Sequence, residues 1–199
     1  MGEFMKKKVT FFVLAIVAAL LLFVIKLNGG TKTIEEVINK DNSDKVSILH
    51  EEKHGKASIV FGYVSDGNGL YTAIARKGIT GYKIAYSGVQ GDIELVSEKF
   101  GMSYTYFPSI EKVGLPIYFG VIGNPDISEI RIVEKKSGAQ KQAKIIETNG
   151  TRLWLVYMNS FKGSEFDITG YSSDDKELVK IDGNIAPLYV EQKPYKGYD

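Results

Sequence analysis

Hydrophobic and polar positions alternate in three different ways along this chain. From Val9 to Ile25 no residue is charged and only Thr10 is polar, with Lys6-Lys7-Lys8 before the run and Lys26 after it. A helix over that run is roughly 25 Å long at 1.5 Å per residue, close to a hydrocarbon core of about 30 Å, so Lys8 and Lys26 are expected to snorkel to the two interfaces. After the break Asn28-Gly29-Gly30, Ile34, Val37 and Ile38 recur at i, i+3, i+4, and Thr33 and Glu36 have the spacing of a capping box. The pattern predicts a short amphipathic helix from Thr33 to Lys40, ended by Asp41-Asn42-Ser43-Asp44.

From Lys45 the period drops to two. Val46 to Leu49, Ser58 to Val64, Leu70 to Ala75, Gly81 to Tyr86, Ile93 to Val96 and Tyr104 to Phe107 read as the strands of an antiparallel meander, with the amphipathic helix free to cover one face. Pro108 to Pro116 reads as a connector. Strands then resume at Ile117 to Ile122, Ile127 to Val133, Ala143 to Glu147, Arg152 to Tyr157, Phe166 to Tyr171 and Glu177 to Ile181. Between them lie turn clusters: Gly123 to Asp126, Lys136-Ser137-Gly138, Asn149-Gly150 and Ser172 to Asp175. That spacing argues for a small β-sandwich, with Trp154, the only tryptophan, in its core. The periodicity stops at Asp182, and residues 184–199 are expected to be loosely ordered. The chain thus reads as mainly β, with α+β possible, in two modules at 31–112 and 113–183.

The flanks of the apolar run decide where these modules sit. Met1 to Phe4 reads as a cloning remnant ahead of a natural start at Met5, and the anchor with its cytoplasmic tip and linker occupies 5–30. No Ala-x-Ala-like site follows the run, which favours an uncleaved anchor over a removed signal. Three lysines before the span keep the N-terminus cytoplasmic and put the rest outside the cell membrane in a single pass. Charge is balanced at 25 basic and 24 acidic residues, which offers no electrostatic case for nucleic acid. The absence of cysteine excludes disulfides, thiolate metal sites and cysteine nucleophiles.

Candidate chemistry is sparse. His50-Glu51-Glu52-Lys53-His54 contains both histidines and resembles the zincin signature H-E-x-x-H, in which two histidines one helical turn apart bind zinc and the glutamate is the general base. The segment lies between two strand-like stretches and carries Glu52 and Lys53 at the variable positions, so a solvated β-turn is the favoured reading and a zinc hydrolase the rival one. Asp66-Gly67-Asn68-Gly69 resembles part of a calcium loop, but Lys77 stands where the terminal glutamate belongs, so a hairpin turn is favoured. Asp174-Asp175 and Asp182-Gly183-Asn184 read as turns too. All twelve tyrosines lie beyond the apolar run, and Tyr82, Tyr86, Tyr104, Tyr106 and Phe107 fall close together. Cross-strand packing is the first account of them, a ligand or partner surface the second. Glu165 and Asp167 form a carboxylate pair of the kind that composition alone produces, and Asn149-Gly150-Thr151 is both a sequon and a hairpin turn. No catalytic, cofactor or metal residue is assigned.

The layout of a Met-Lys-Lys-Lys start, one apolar span, a short helix and then β modules resembles small, uncharacterised membrane-anchored ectodomain proteins of Gram-positive bacteria. Ile117 to Ile122 and Thr151 to Val156 share that style. The resemblance transfers no activity. The expected function is a non-enzymatic binding or regulatory module, without cofactor, that meets the bilayer through Val9 to Ile25 and holds a membrane or envelope protein by a sheet face or strand edge. A structural role in envelope assembly is the further alternative.

Overall fold

The computed structural model describes residues 2–27, 33–41, 44–65, 69–78, 81–186 and 192–195. Helix α1 runs Gly2–Leu27, α2 Ile34–Asp41 and α3 Ile93–Phe100. The strands are β1 Val46–His54, β2 Ala57–Val64, β3 Leu70–Gly78, β4 Gly81–Gln90, β5 Thr105–Phe107, β6 Ile117–Ile122, β7 Glu129–Glu134, β8 Gln140–Gln142, β9 Lys144–Thr148, β10 Thr151–Tyr157, β11 Glu165–Tyr171 and β12 Glu177–Asn184. They form three antiparallel four-stranded sheets in the orders β1-β2-β3-β4, β5-β6-β10-β9 and β12-β11-β7-β8. The fold is mainly β.

The three sheets are stacked, with the second in the middle. On β6, Ile117, Phe119 and Val121 pack toward the first sheet against Ile59, Phe61 and Ile74. Tyr118 and Ile122 pack the other way, against Ile130, Ile132, Phe166 and Ile168 of the third sheet. On β10, Leu153 and Leu155 face the first sheet, while Trp154 and Val156 face the third. This is why Ile117 to Ile122 is a continuous apolar run: a strand buried on both faces needs no polar side. The outer face of the first sheet is covered by α2, whose Ile34 and Ile38 sit on Val46, Val60, Tyr71 and Ala73. The order of layers is helix, sheet, sheet, sheet.

Local chemistry explains the element ends. The capping box at the start of α2 forms as the spacing predicts, with Glu36 N donating to Thr33 Oγ1 over 3.1 Å and Thr33 N to Glu36 Oε2 over 3.2 Å. Asn149 and Gly150, at φ 46° and 79°, close the β9–β10 hairpin in the left-handed conformation that Asn-Gly favours.

Three expectations need correction. Ile93 to Val96 is not a strand but the first turn of α3, which buries Ile93 and Ser97 and leaves Leu95 and Phe100 exposed. Its apolar spacing fits a helix as well as a strand, and a short run cannot arbitrate. Asp182-Gly183-Asn184 is not a turn but the end of β12, paired with Glu165, Phe166 and Asp167. The stretch expected to be loose is tied down where it is described: Ile185 is buried, and residues 192–195 dock on the body. The turn expected at Asp66 to Asn68 lies outside the described residues.

On α1, the side chains from Phe11 to Val24 are exposed. Among the described residues, no helix is long and apolar enough to cross a membrane. The span expected over Val9 to Ile25 extends beyond this run, to positions whose side chains are outside the described set.

Candidate functional site

The H-E-x-x-H residues lie in a strand, not on a helix. β1 continues through His54, and only Gly55 and Lys56 make the turn to β2, so the expected longer β-turn is replaced by an extended edge strand. A bulge at Leu49 shifts the register between Ile48 and His50. One extra residue reverses the alternation beyond it. Val46 and Ile48 therefore face α2, whereas His50, Glu52 and His54 face the second sheet. His50 stacks on Phe61 with ring centres 6.5 Å apart, and His54 lies 5.2 Å from the ring of Tyr157.

Glu51, the motif's would-be base, lies on the opposite face, where Ser58 Oγ donates to it over 2.7 Å. Four residues along a strand span about 13 Å at 3.3 Å per residue, far more than one helical turn. Among the described residues no three His, Cys, Asp or Glu side chains are grouped to hold a metal ion. What the segment does hold is a clasp between sheets. Glu52 accepts from Lys144 Nζ at 2.7 Å and lies 3.1 Å from His50 Nε2. Its burial works against ionisation, but these hydrogen bonds outweigh it and keep the carboxyl below its ordinary value. Burial, then the charge of Glu52, pushes the Tyr157 hydroxyl up.

Of the carboxylate pair, Asp167 is engaged by two lysines. Asp167 is held below the usual carboxylate range chiefly by Lys180 at 3.1 Å, with Lys135 at 3.4 Å. Glu134 is lowered first by the backbone N–H of Lys162, at 3.1 Å, which ties the carboxylate to the loop beside β11. A cleft of about 730 Å³ opens next to it, lined by Glu134, Lys136, Lys162 and Glu165 among others. A smaller one of about 240 Å³ at the end of the second and third sheets is walled by Tyr106, Met158, Phe161, Phe166 and Ile185. These groups suit binding by contact and hydrogen bonding.

The tyrosine-rich cluster divides between two aromatic rows. Tyr86, Phe107, Phe119 and Phe61 follow one another between the first and second sheets at 5.3–5.4 Å. Tyr104 and Tyr106 both meet Tyr118, which meets Phe166 between the second and third sheets. Tyr82 packs with the α2-covered cluster. Most of the cluster is packing, and Tyr104 is the member left exposed.

The edge of the first sheet carries the feature that the sequence conceals. Among the described residues β4 has a ladder partner only in β3, and residues 192–195 approach it from the C-terminal side. Tyr195 N donates to Ala85 O over 3.0 Å. Its hydroxyl accepts from Ser87 N at 2.9 Å and donates to Ser87 O at 2.7 Å. Its ring stacks on Tyr86 at 5.6 Å. Gln192 bridges the connector in parallel, its N–H bonded to Ser109 O and its carbonyl to Glu111 N, each at 2.7 Å. The only sequence signal was an aromatic in a tail without periodicity, too little to name its seat.

Compared with protein-family models, with curated proteins and with solved structures, the chain matches none.

Proposed function

We propose that this chain is a single-pass, membrane-anchored protein whose β-rich body lies outside the cell membrane, with the N-terminus cytoplasmic, and acts there as a non-enzymatic binding module. The observation that carries the reading is α1. Its large side chains are solvent-facing along the whole described run, from Phe11 at 76% through Leu22 at 67% to Val24 at 50%. Apolar surface on that scale demands an apolar partner. Lys6-Lys7-Lys8 before the run and Lys26 after it favour a bilayer in the stated orientation.

The binding role is supported by what the body offers: a strand edge that accepts an extended segment, and clefts lined by contact groups. Glu52 and His54 are engaged across the sheets by Lys144 and Tyr157, and His50 by Glu52 and Phe61.

The placement is tested by cysteine labelling, since the chain has no cysteine of its own. Ser173, in the exposed β11–β12 turn, is replaced by Cys in the full chain and treated with a membrane-impermeant maleimide on intact cells. Labelling without permeabilisation is the expected result; labelling only after permeabilisation overturns the topology. The binding role is tested by cross-linking the membrane-inserted protein and identifying what is attached, and recovery of no envelope or membrane component would count against it.

A further inference from the structure

Tyr195 does with one side chain what a neighbouring strand does with its backbone. Ser87 on β4 turns its N–H and C=O outward, and the Tyr195 hydroxyl satisfies both, accepting from the first and donating to the second. Ser87 Oγ lies 3.1 Å away as a third contact. The docking point is prepared by a bulge. Ile74 pairs with Tyr86 and Ala75 with Ile84, so Ala85 is the extra residue of β4, and it is the Ala85 carbonyl that receives Tyr195 N–H. Bulges on edge strands normally discourage pairing. Here the bulge and the outward Ser87 form a seat for one aromatic residue on an extended segment, continued by the parallel bridge between Ile110 and Gln192.

The seat is peripheral. Tyr195 remains 44% exposed, and nothing in the layered core depends on which molecule supplies it. The segment is joined to β12 only through residues 185–191, with Pro187 in that stretch. A terminal segment that docks through few contacts, on a short proline-containing connection, is the type of element that identical chains exchange, because cis and trans contacts are the same.

We propose that the β4 edge, with Ser109 to Glu111, is a binding site for the C-terminal segment of a second copy of this chain, filled in the monomer by the chain's own residues 192–195. Exchange of the two segments links two copies without new contacts, and its extent rises with local concentration. The proposal goes beyond the membrane reading and does not rest on it, since the exchange can be measured in detergent.

Because Glu111 N–H donates to the Gln192 carbonyl at the bridge between residues 110 and 192, positions 111 and 193 both adjoin that contact, and both accept a cysteine in a chain that has no other. The full-length double variant Glu111→Cys/Lys193→Cys, treated with a short bismaleimide, is expected to give an internally linked product at high dilution. That product shows that the docking exists. Full-length Glu111→Cys and Lys193→Cys chains, mixed at high concentration, are then expected to give a covalent heterodimer. Its yield should rise with concentration and fall at least fivefold when Tyr195→Ala is added to the Lys193→Cys chain. Tyr195→Phe, which keeps the ring and loses the hydroxyl, should give an intermediate yield. Internal linking without heterodimer confines the tail to its own chain and overturns the exchange. No internal linking overturns the site itself. A heterodimer whose yield ignores Tyr195 overturns the role given to the β4 seat.

Discussion

Trp154 Nε1 donates to the backbone carbonyl of Ser103 over 3.0 Å, and the two meet because residue 120 has no side chain. Gly120, opposite Trp154 in the β6–β10 ladder, lies where a Cβ would strike the Ser103 carbonyl and come within 2.8 Å of Trp154 Nε1. The obstacle is backbone and a packed indole, neither of which can swing away. Gly120→Ala is expected to lower stability by about 2–3 kcal/mol, and more if the Ser103 segment is driven off. Trp154→Phe, which leaves a cavity and an unpaired buried carbonyl, is expected to cost about 3 kcal/mol. Urea midpoints of the two variants against the parent chain check both.

The contact of Glu52 with Lys144 and His50 sets a pH-dependent prediction. The folded-state carboxyl lies below its ordinary value. Its stabilisation is therefore fully present above the unfolded-chain value of about 4.3 and is lost as pH falls through the lower folded value. Glu52→Gln is expected to be less stable than the parent by about 0.5–1 kcal/mol at pH 7, and indistinguishable from it once both are below that folded value. Thermal melts from pH 7 down to pH 3 would reveal it. A gap that stays constant across the range would remove Glu52 as its source.

Thr33 holds the first turn of α2 through its hydroxyl. Thr33→Ala should cost about 1 kcal/mol, and Thr33→Asp should recover most of it, because a carboxylate accepts the same N–H and suits the helix N-terminus. Melting temperatures of the two variants, compared at neutral pH, are the measurement.

Removing Leu49 tests the bulge. Without the extra residue, Ile48 and His50 become neighbours that still pair with Gly62 and Phe61, so His50, Glu52 and His54 keep facing the second sheet. The deletion is therefore expected to cost only the packing of Leu49, about 2–3 kcal/mol. Replacing Leu49 by Ala keeps the bulge and should cost about the same. A much larger loss in the deletion variant would mean that the bulge itself is required.

Much of the β architecture was legible because turns and alternation are local. Asn149-Gly150 marked its hairpin, Thr33 and Glu36 marked α2, and the run Ile117 to Ile122 marked a strand. What was not legible depends on contacts far along the chain. The two-sided burial of β6 follows from sheets on either side of it, which a one-dimensional pattern cannot assign. The Leu49 bulge left no signature, so the face of His50 and His54 could not be read. β8 is three polar residues whose pairing with β7 has no hydrophobic mark. Tyr195 finds Ser87 across 108 positions.

The stacking order also has a consequence in time. A chain that emerges N-terminus first completes its meander at Gln90, whereas the wall that covers Ile59, Phe61 and Ile74 is not finished until Tyr157. During that interval the meander has α2 on one side and an uncovered apolar face on the other. Chains arrested in this window should aggregate or recruit a holding factor, and chains carried past Asn184, where the third sheet also covers the second, should not. The costly stage of making this protein is thus the middle of its synthesis, with the first sheet waiting for the second.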